Sequence, residues 1–300
     1  MATAAPYRRA PLWDTITGIL NPWAFLYLSL THIPPTALPL LKSLSFGTLL
    51  SWSRFQPLWF ASFWSIVGPN IRTGNGAIIT SLLQGRVTKG KPVSSAEETS
   101  HHGIGGTVLE IGAGSGLWVN LFTPDHCTSQ STTPVPGERT AITKVFGVEP
   151  NASVHGDLKR NIAAAKLENT YEIVPVGIED ALASGRIPEG GVDCIVSVLC
   201  LCSIPDPDKN IALLYKCLKP GGRWYVFEHV RTFEEQGRFM RWYQALVNIF
   251  WPRLIGGCYI DRDTTTSLQR AGPWTDIDLA QPPAEEWFHT VPHIFGILTK

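Results

Sequence analysis

Charged side chains are scarce in this chain. Asp, Glu, Lys and Arg make up 17% of its 300 residues, against roughly 25% in soluble domains. Lys plus Arg (25) balances Asp plus Glu (25), which excludes an acidic disordered chain and leaves no basic stripe for nucleic acid. The six cysteines, at 127, 194, 200, 202, 217 and 258, form no Cys-x-x-Cys pair. Spacing therefore offers neither a metal site nor a disulfide framework, and a reducing compartment is expected. Cys194, Cys200 and Cys202 lie in or just after an apolar strand-like run and read as small buried hydrophobes. Internal repeats are absent, and 27 Gly and 23 Pro follow no collagen-like period.

The shortage of charge is local. Between Met1 and Ile71 the charges are Arg8, Arg9, Asp14, Lys42 and Arg54, and this stretch holds five of the eleven tryptophans. Thr15 to Leu41 carries no charge at all. That length suits a membrane span, but Pro22, Pro34, Pro35 and Pro39 interrupt it. Tryptophans beside short apolar runs with scattered basic residues suit a segment lying in the headgroup boundary, with contact through residues 12–67. Two other readings stay open, a single span and a Trp-rich cap or substrate lid. Asp14, Asn21 and Pro22 argue against a secretory signal.

The expected organisation has three parts: an apolar segment over 1–71, a helix and polar linker over 72–106, and a domain over 107–300 with a surface insertion near 123–140. His101 and His102, in the linker, read as solvated. Strands are expected at Thr107–Ile111, Val145–Val148, Tyr171–Val174, Val192–Val198 and Arg223–His229. Helices are expected from Asn151 to Leu167, Pro207 to Leu218 and Glu234 to Phe250. Apolar runs alternating with helices imply an α/β, doubly wound Rossmann-like sheet, mostly parallel. Trp274–Leu279 and His293–Leu298, with no helix between them, imply a closing antiparallel hairpin and bring the sheet to seven strands.

Val108-Leu109-Glu110-Ile111-Gly112-Ala113-Gly114-Ser115-Gly116 ends a strand at glycines where a helix opens, the place where such sheets bind ligands. A dinucleotide fingerprint needs a third glycine at 117, which is Leu117. The acid at 110 suits a cationic ligand better than a pyrophosphate. This pattern resembles motif I of class I S-adenosylmethionine-dependent methyltransferases. Gly147-Val148-Glu149-Pro150-Asn151, Gly177-Ile178-Glu179-Asp180, Val192-Asp193-Cys194-Ile195-Val196-Ser197 and Leu218-Lys219-Pro220-Gly221-Gly222 follow in that family's order. The resemblance implies S-adenosylmethionine as cofactor, with Gly112, Gly114 and Gly116 in its loop and Glu149 on the ribose diol, beside Pro150 and Asn151. It implies Glu179 and Asp180 at the adenine, and Leu199 after the fourth strand. Glu110 either binds the methionine amine or orders the loop.

Leu201-Cys202-Ser203, Phe227-Glu228-His229-Val230, Gly257-Cys258 and Pro292-His293-Ile294-Phe295-Gly296 look like the membrane-anchored thiol methyltransferases of the methyltransferase-like seven family. That resemblance favours sulfur as the acceptor atom and implies a place on the cytosolic side of a membrane, endoplasmic reticulum or lipid droplet. The apolar, Trp-rich terminus predicts a lipophilic small-molecule acceptor, and no metal is expected from the cysteine spacing. The alternatives are an O- or N-methyltransferase of secondary metabolism, an inactive membrane-associated binding protein, and a cytoplasmic location. His229, at the carboxyl end of strand five, is the candidate to activate a thiol, whereas Glu228 should face the other way. His293 reads as structural.

Overall fold

The computed structural model describes residues 10–94, 101–127 and 141–300. Part of the expected linker and most of the expected insertion lie outside the described residues. Seven strands form one sheet: β1 (Gly106–Ile111), β2 (Ile142–Val148), β3 (Tyr171–Val174), β4 (Val192–Val198), β5 (Leu218–His229), β6 (Asp276–Ala280) and β7 (His293–Thr299). Their order is β3-β2-β1-β4-β5-β7-β6. The first five are parallel, and β7 runs antiparallel between β5 and β6. The expected hairpin is therefore present, with its later strand innermost.

The pleat sorts the side chains onto two faces. Val108, Cys194, Val196, Tyr225, Phe227, Phe295 and Ile297 belong to one buried cluster. Their neighbours Leu109, Ile111, Ile195, Trp224, Val226, Ile294 and Leu298 belong to the other. Both faces are covered, which explains runs apolar at every position.

Helix α1 (Leu12–Thr31) and helix α2 (Ile33–Lys42) precede a long helix α3 (Trp52–Leu83). Proline does not end these helices: Pro22, Pro39, Pro57 and Pro69 all lie inside them. Helix α3 passes Ile71 without a break, so the boundary expected there falls within a helix. A third apolar cluster joins Leu26, Phe63 and Val67 to Met240, Val247 and Trp251. Trp23 Nε1 donates to Tyr243 Oη at 2.8 Å, and Trp59 Nε1 to the Ser29 carbonyl at 2.8 Å.

The stretch expected to be helical from Asn151 begins with a 3₁₀ turn and continues as α4 (His155–Ala164). Asn151 does cap it, accepting from Ser153 N at 3.0 Å. Helix α5 (Pro207–Cys217) matches expectation to one residue, and α6 (Gly237–Asn248) follows a short turn at Glu234–Gln236. His101 corrects the solvated reading. It is 8% exposed, with Nε2 3.3 Å from Asp278 Oδ2, because β6 supplies a carboxylate that spacing could not reveal.

Candidate functional site

Strand order reverses between β1 and β4, so the loops after their carboxyl ends diverge and open a crevice. A cavity of about 420 Å³ occupies it, within the usual range for small-molecule sites. Gly112, Gly114, Glu149, Pro150, Asn151, Glu179, Leu199 and His229 lie on its wall. Three expected cofactor residues do not. Gly116 packs behind the loop against Leu158 and Asn161 of α4. Asp180 is exposed outside the cavity, leaving Glu179 as the acid on that wall.

Glu110 is the third. It is buried in the sheet, where Tyr171 Oη donates to its carboxyl from β3, two strands away. Gly147, beside Glu110 in register, leaves space for that hydroxyl. Of the two expected roles, contact with the methionine amine loses its geometric basis. Burial pushes the Glu110 carboxyl up to about 8 from its ordinary 4.5, against the hydrogen bond from Tyr171, which lowers it. The folded state thus holds this proton more tightly than the unfolded chain does. The stability it contributes is complete below about pH 4.5 and declines as pH rises to about 8. Denaturant midpoints measured across this window should fall less steeply in Glu110→Gln than in the parent; parallel profiles would reject the assignment.

The glycine loop is held by Glu149. Its Oε2 accepts from Gly114 N at 2.8 Å and its Oε1 from Asn151 N at 2.7 Å. Each carboxylate oxygen retains a further lone pair, so the group can also receive a diol. Burial raises its pKa, and the two N–H donors pull it down. At Gly112 φ is +68°, and a Cβ would stand 2.5 Å from Cys200 Cβ. That position needs glycine because the loops after β1 and β4 touch there. Leu199 holds φ +56° without being glycine, strain of the kind that concentrates at binding sites. These features fit an adenosyl ligand: a backbone cradle, a paired acceptor and an apolar wall.

The far wall comes from residues that sequence reasoning did not assign to the site. Gln56, Pro57, Phe60 and Trp64 of α3 line the cavity, and Asn151 Nδ2 donates to the Pro57 carbonyl at 3.3 Å. The apolar segment therefore contributes a wall of the cavity. Alternating polar signals that mark binding loops were absent from it. Cys202, His229 and Cys258 also share the wall, their ligand-type atoms within 4.8 Å of one another. Cys258 Sγ lies 3.5 Å from His229 Nδ1. Burial holds the His229 imidazole below its ordinary pKa, while a hydrogen bond from Cys258 and the nearby imidazole draw the Cys202 thiol down. Spacing alone missed this cluster, whose members stand 27 and 29 residues apart in sequence.

Glu228 does face away from His229, and it has a definite task. Its Oε2 accepts from Cys200 N at 2.9 Å and Leu201 N at 3.1 Å, and Cys200 Sγ approaches Oε1 at 3.3 Å. The carboxylate thus shapes the loop that carries Leu199 and Cys202. His293 Nδ1 pairs with Glu285 Oε1 at 2.5 Å and the ring stacks on Phe227, a structural setting.

Thiol S-methyltransferase TMT1B of Rattus norvegicus is 28% identical over 195 residues, covering 65% of this chain and 70% of that protein. The human thiol S-methyltransferase TMT1A is 26% identical over 195 residues, with the same coverage. Among solved structures, the CurJ carbon methyltransferase superposes with a TM-score of 0.51 at 14% identity, covering 97% of this chain and 72% of that one, a likeness of fold. The family model described as a methyltransferase domain matches residues 90–271. With that match spanning most of the sheet and the crevice at its switch point, the chain belongs to the methyltransferase-domain family, and is an enzyme whose cofactor is S-adenosylmethionine.

Proposed function

We propose that the enzyme methylates the sulfur of a lipophilic small-molecule thiol. The observation that carries this reading is the composition of the cavity beyond the glycine loop. Phe60, Trp64 and Ile255 make its wall apolar, and Cys202, His229 and Cys258 supply the polar atoms. The names of the thiol S-methyltransferase relatives support sulfur as the acceptor. When bound, the cofactor supplies an electrophilic methyl on a sulfonium. Backbone at Gly112 and Gly114 would receive its amino-acid end, Glu149 its diol, and Glu179 its adenine side. The apolar wall excludes water and places the acceptor, which is the main demand of an in-line displacement. His229 stands at the acceptor end, where a neutral imidazole offers an unshared nitrogen pair to an adjacent thiol proton or cation.

Radiolabelled methyl transfer to matched aryl thiol, phenol, carboxylate and amine acceptors tests the reading. Label should appear on the thiol first; turnover of the others with no labelled thioether would overturn it.

Membrane contact belongs to the same proposal. Leu12–Lys42 is long and apolar enough to cross a membrane, with only 11% of its most apolar stretch buried. Leu12, Trp13, Leu20, Tyr27, Leu38 and Leu41 are exposed, a surface suited to the headgroup boundary of a cytosol-facing membrane. Replacing Trp13, Leu20, Tyr27 and Leu38 together by Ser should move the protein from the membrane pellet to the supernatant with cofactor binding intact. Phe60→Ala with Trp64→Ala should do the reverse, raising the KM for the acceptor by about tenfold, as for loss of one or two apolar contacts, without changing fractionation. Unchanged pelleting of the first variant would refute the contact.

A further inference from the structure

We infer that Cys202, His229 and Cys258 form a binding site for a zinc-class divalent ion, with its fourth position open to the acceptor thiol. The inference rests on the thiol reading above and deepens it. Two thiolates and an imidazole are a donor set suited to zinc, and three protein ligands with one open position are the arrangement of catalytic zinc.

The distances fit. Bonds of about 2.3 Å to sulfur and about 2.0–2.1 Å to nitrogen at a tetrahedral angle put the two donors about 3.5 Å apart. Cys258 Sγ and His229 Nδ1 are 3.5 Å apart. All three ligand atoms lie within 4.8 Å of one another, close to the separations of about 3.5–3.8 Å between donors on one tetrahedral zinc. The three residues come from separate segments that meet at the carboxyl ends of β4 and β5. Cys202 follows β4, His229 ends β5, and Cys258 follows the short helix Trp251–Leu254.

Beside the cluster, the Ser203 hydroxyl lies 3.6 Å from Cys202 Sγ, and His293 Nδ1 is engaged by Glu285. Glu228 is committed to the Cys200 and Leu201 N–H groups, and the Cys200 thiol lies against Glu228 rather than the cluster. On the other side is the cavity, whose wall all three residues share with Gly112 and Gly114. An ion there faces the same space as the cofactor loop.

Coordination gives His229 the task of a ligand in place of a proton acceptor. The acceptor thiol binds the ion and releases its proton to solvent, as coordinated thiols do. The lone pair on the bound sulfur forms the new carbon–sulfur bond. The bond from the methyl carbon to the sulfonium breaks with its electron pair remaining on that sulfur. The neutral thioether is a weak ligand and leaves the ion.

Cobalt(II) is the probe. Full-length protein, reduced and stripped with chelator, is titrated with cobalt(II), then with benzenethiol, while the sulfur-to-cobalt charge-transfer band is followed. One ion per chain with tetrahedral visible bands, and a rise in the charge-transfer band on adding benzenethiol, is expected. Cys258→Ala should weaken cobalt binding by more than the roughly 10–100-fold that loss of an outer-shell partner costs. His229→Gln is a second ligand variant, expected to alter the visible bands where it folds. No bound ion, a Cys202–Cys258 disulfide in the reduced preparation, or a spectrum unmoved by benzenethiol overturns the site. A parallel methyl-transfer assay separates the two readings. Thiol methylation at full rate by chelator-stripped protein overturns the ion and leaves the thiol reading standing. Absence of thiol methylation by ion-loaded protein overturns the thiol reading and with it this role for the ion.

Discussion

Replacing Glu149 by Ala is expected to weaken S-adenosylmethionine binding at least a hundredfold, about 3 kcal/mol. The change removes two things at once. The carboxylate is the acceptor proposed for the ribose diol, and it already fixes the loop through Gly114 N and Asn151 N. Without it those donors lose their partners, and the loop must be ordered when the cofactor arrives. Glu149→Gln keeps one acceptor oxygen but turns an N–H₂ toward one of these donors, so an intermediate loss of about tenfold is expected. Calorimetric titration measures both, with thermal unfolding of the unliganded variants as control. A dissociation constant equal to that of the parent would remove Glu149 from the cofactor site.

Glu228→Ala should lower the free energy of unfolding by about 3–5 kcal/mol. The side chain is fully buried and receives the backbone N–H groups of Cys200 and Leu201. Its removal leaves both donors without a partner in an apolar surrounding, along with a cavity where the side chain stood. Glu228→Gln retains a carbonyl oxygen for the two N–H groups and should recover about half of the loss. Urea denaturation gives the values. The Ala variant should also bind cofactor less well, because the loop it frees carries Leu199 and Cys202 on the cavity wall. Parental stability would show that the loop holds itself without this anchor.

The strands were largely legible because a sheet covered on both faces demands continuous apolar runs. Tyr171–Val174 and Val192–Val198 begin and end where the runs do. β5 starts earlier than expected, at the buried Leu218 paired with Val192, because a register irregularity before Cys194 lets Lys219, Pro220 and Gly221 stand out from the core within the strand. Prolines misled in the other direction. Pro22 and Pro39 read as interruptions but lie inside helices α1 and α2, which continue past the missing backbone donors.

Within the site, the glycines and Glu149 could be read because loop chemistry is local. The positive φ at Gly112 and Gly114 belongs to the turn they occupy, and Glu149 holds that turn from the end of the adjacent strand; the approach of Cys200 to Gly112 is the tertiary part. The place of Glu110 was not legible because its partner, Tyr171, lies two strands away. Asp180 and Glu179 differ by one position, and only the turn Ile178–Asp180 decides which acid faces the cavity.

The sequence alone thus determined the layered α/β plan and the glycine loop, both products of periodicity and short-range turn chemistry. Tertiary structure alone decided that α3 closes the cavity, that Glu228 anchors the loop after β4, and that Cys202, His229 and Cys258 meet. Each of these depends on chain segments far apart in sequence being brought to one end of a sheet. No local pattern records that proximity, because it is set by strand order and helix packing.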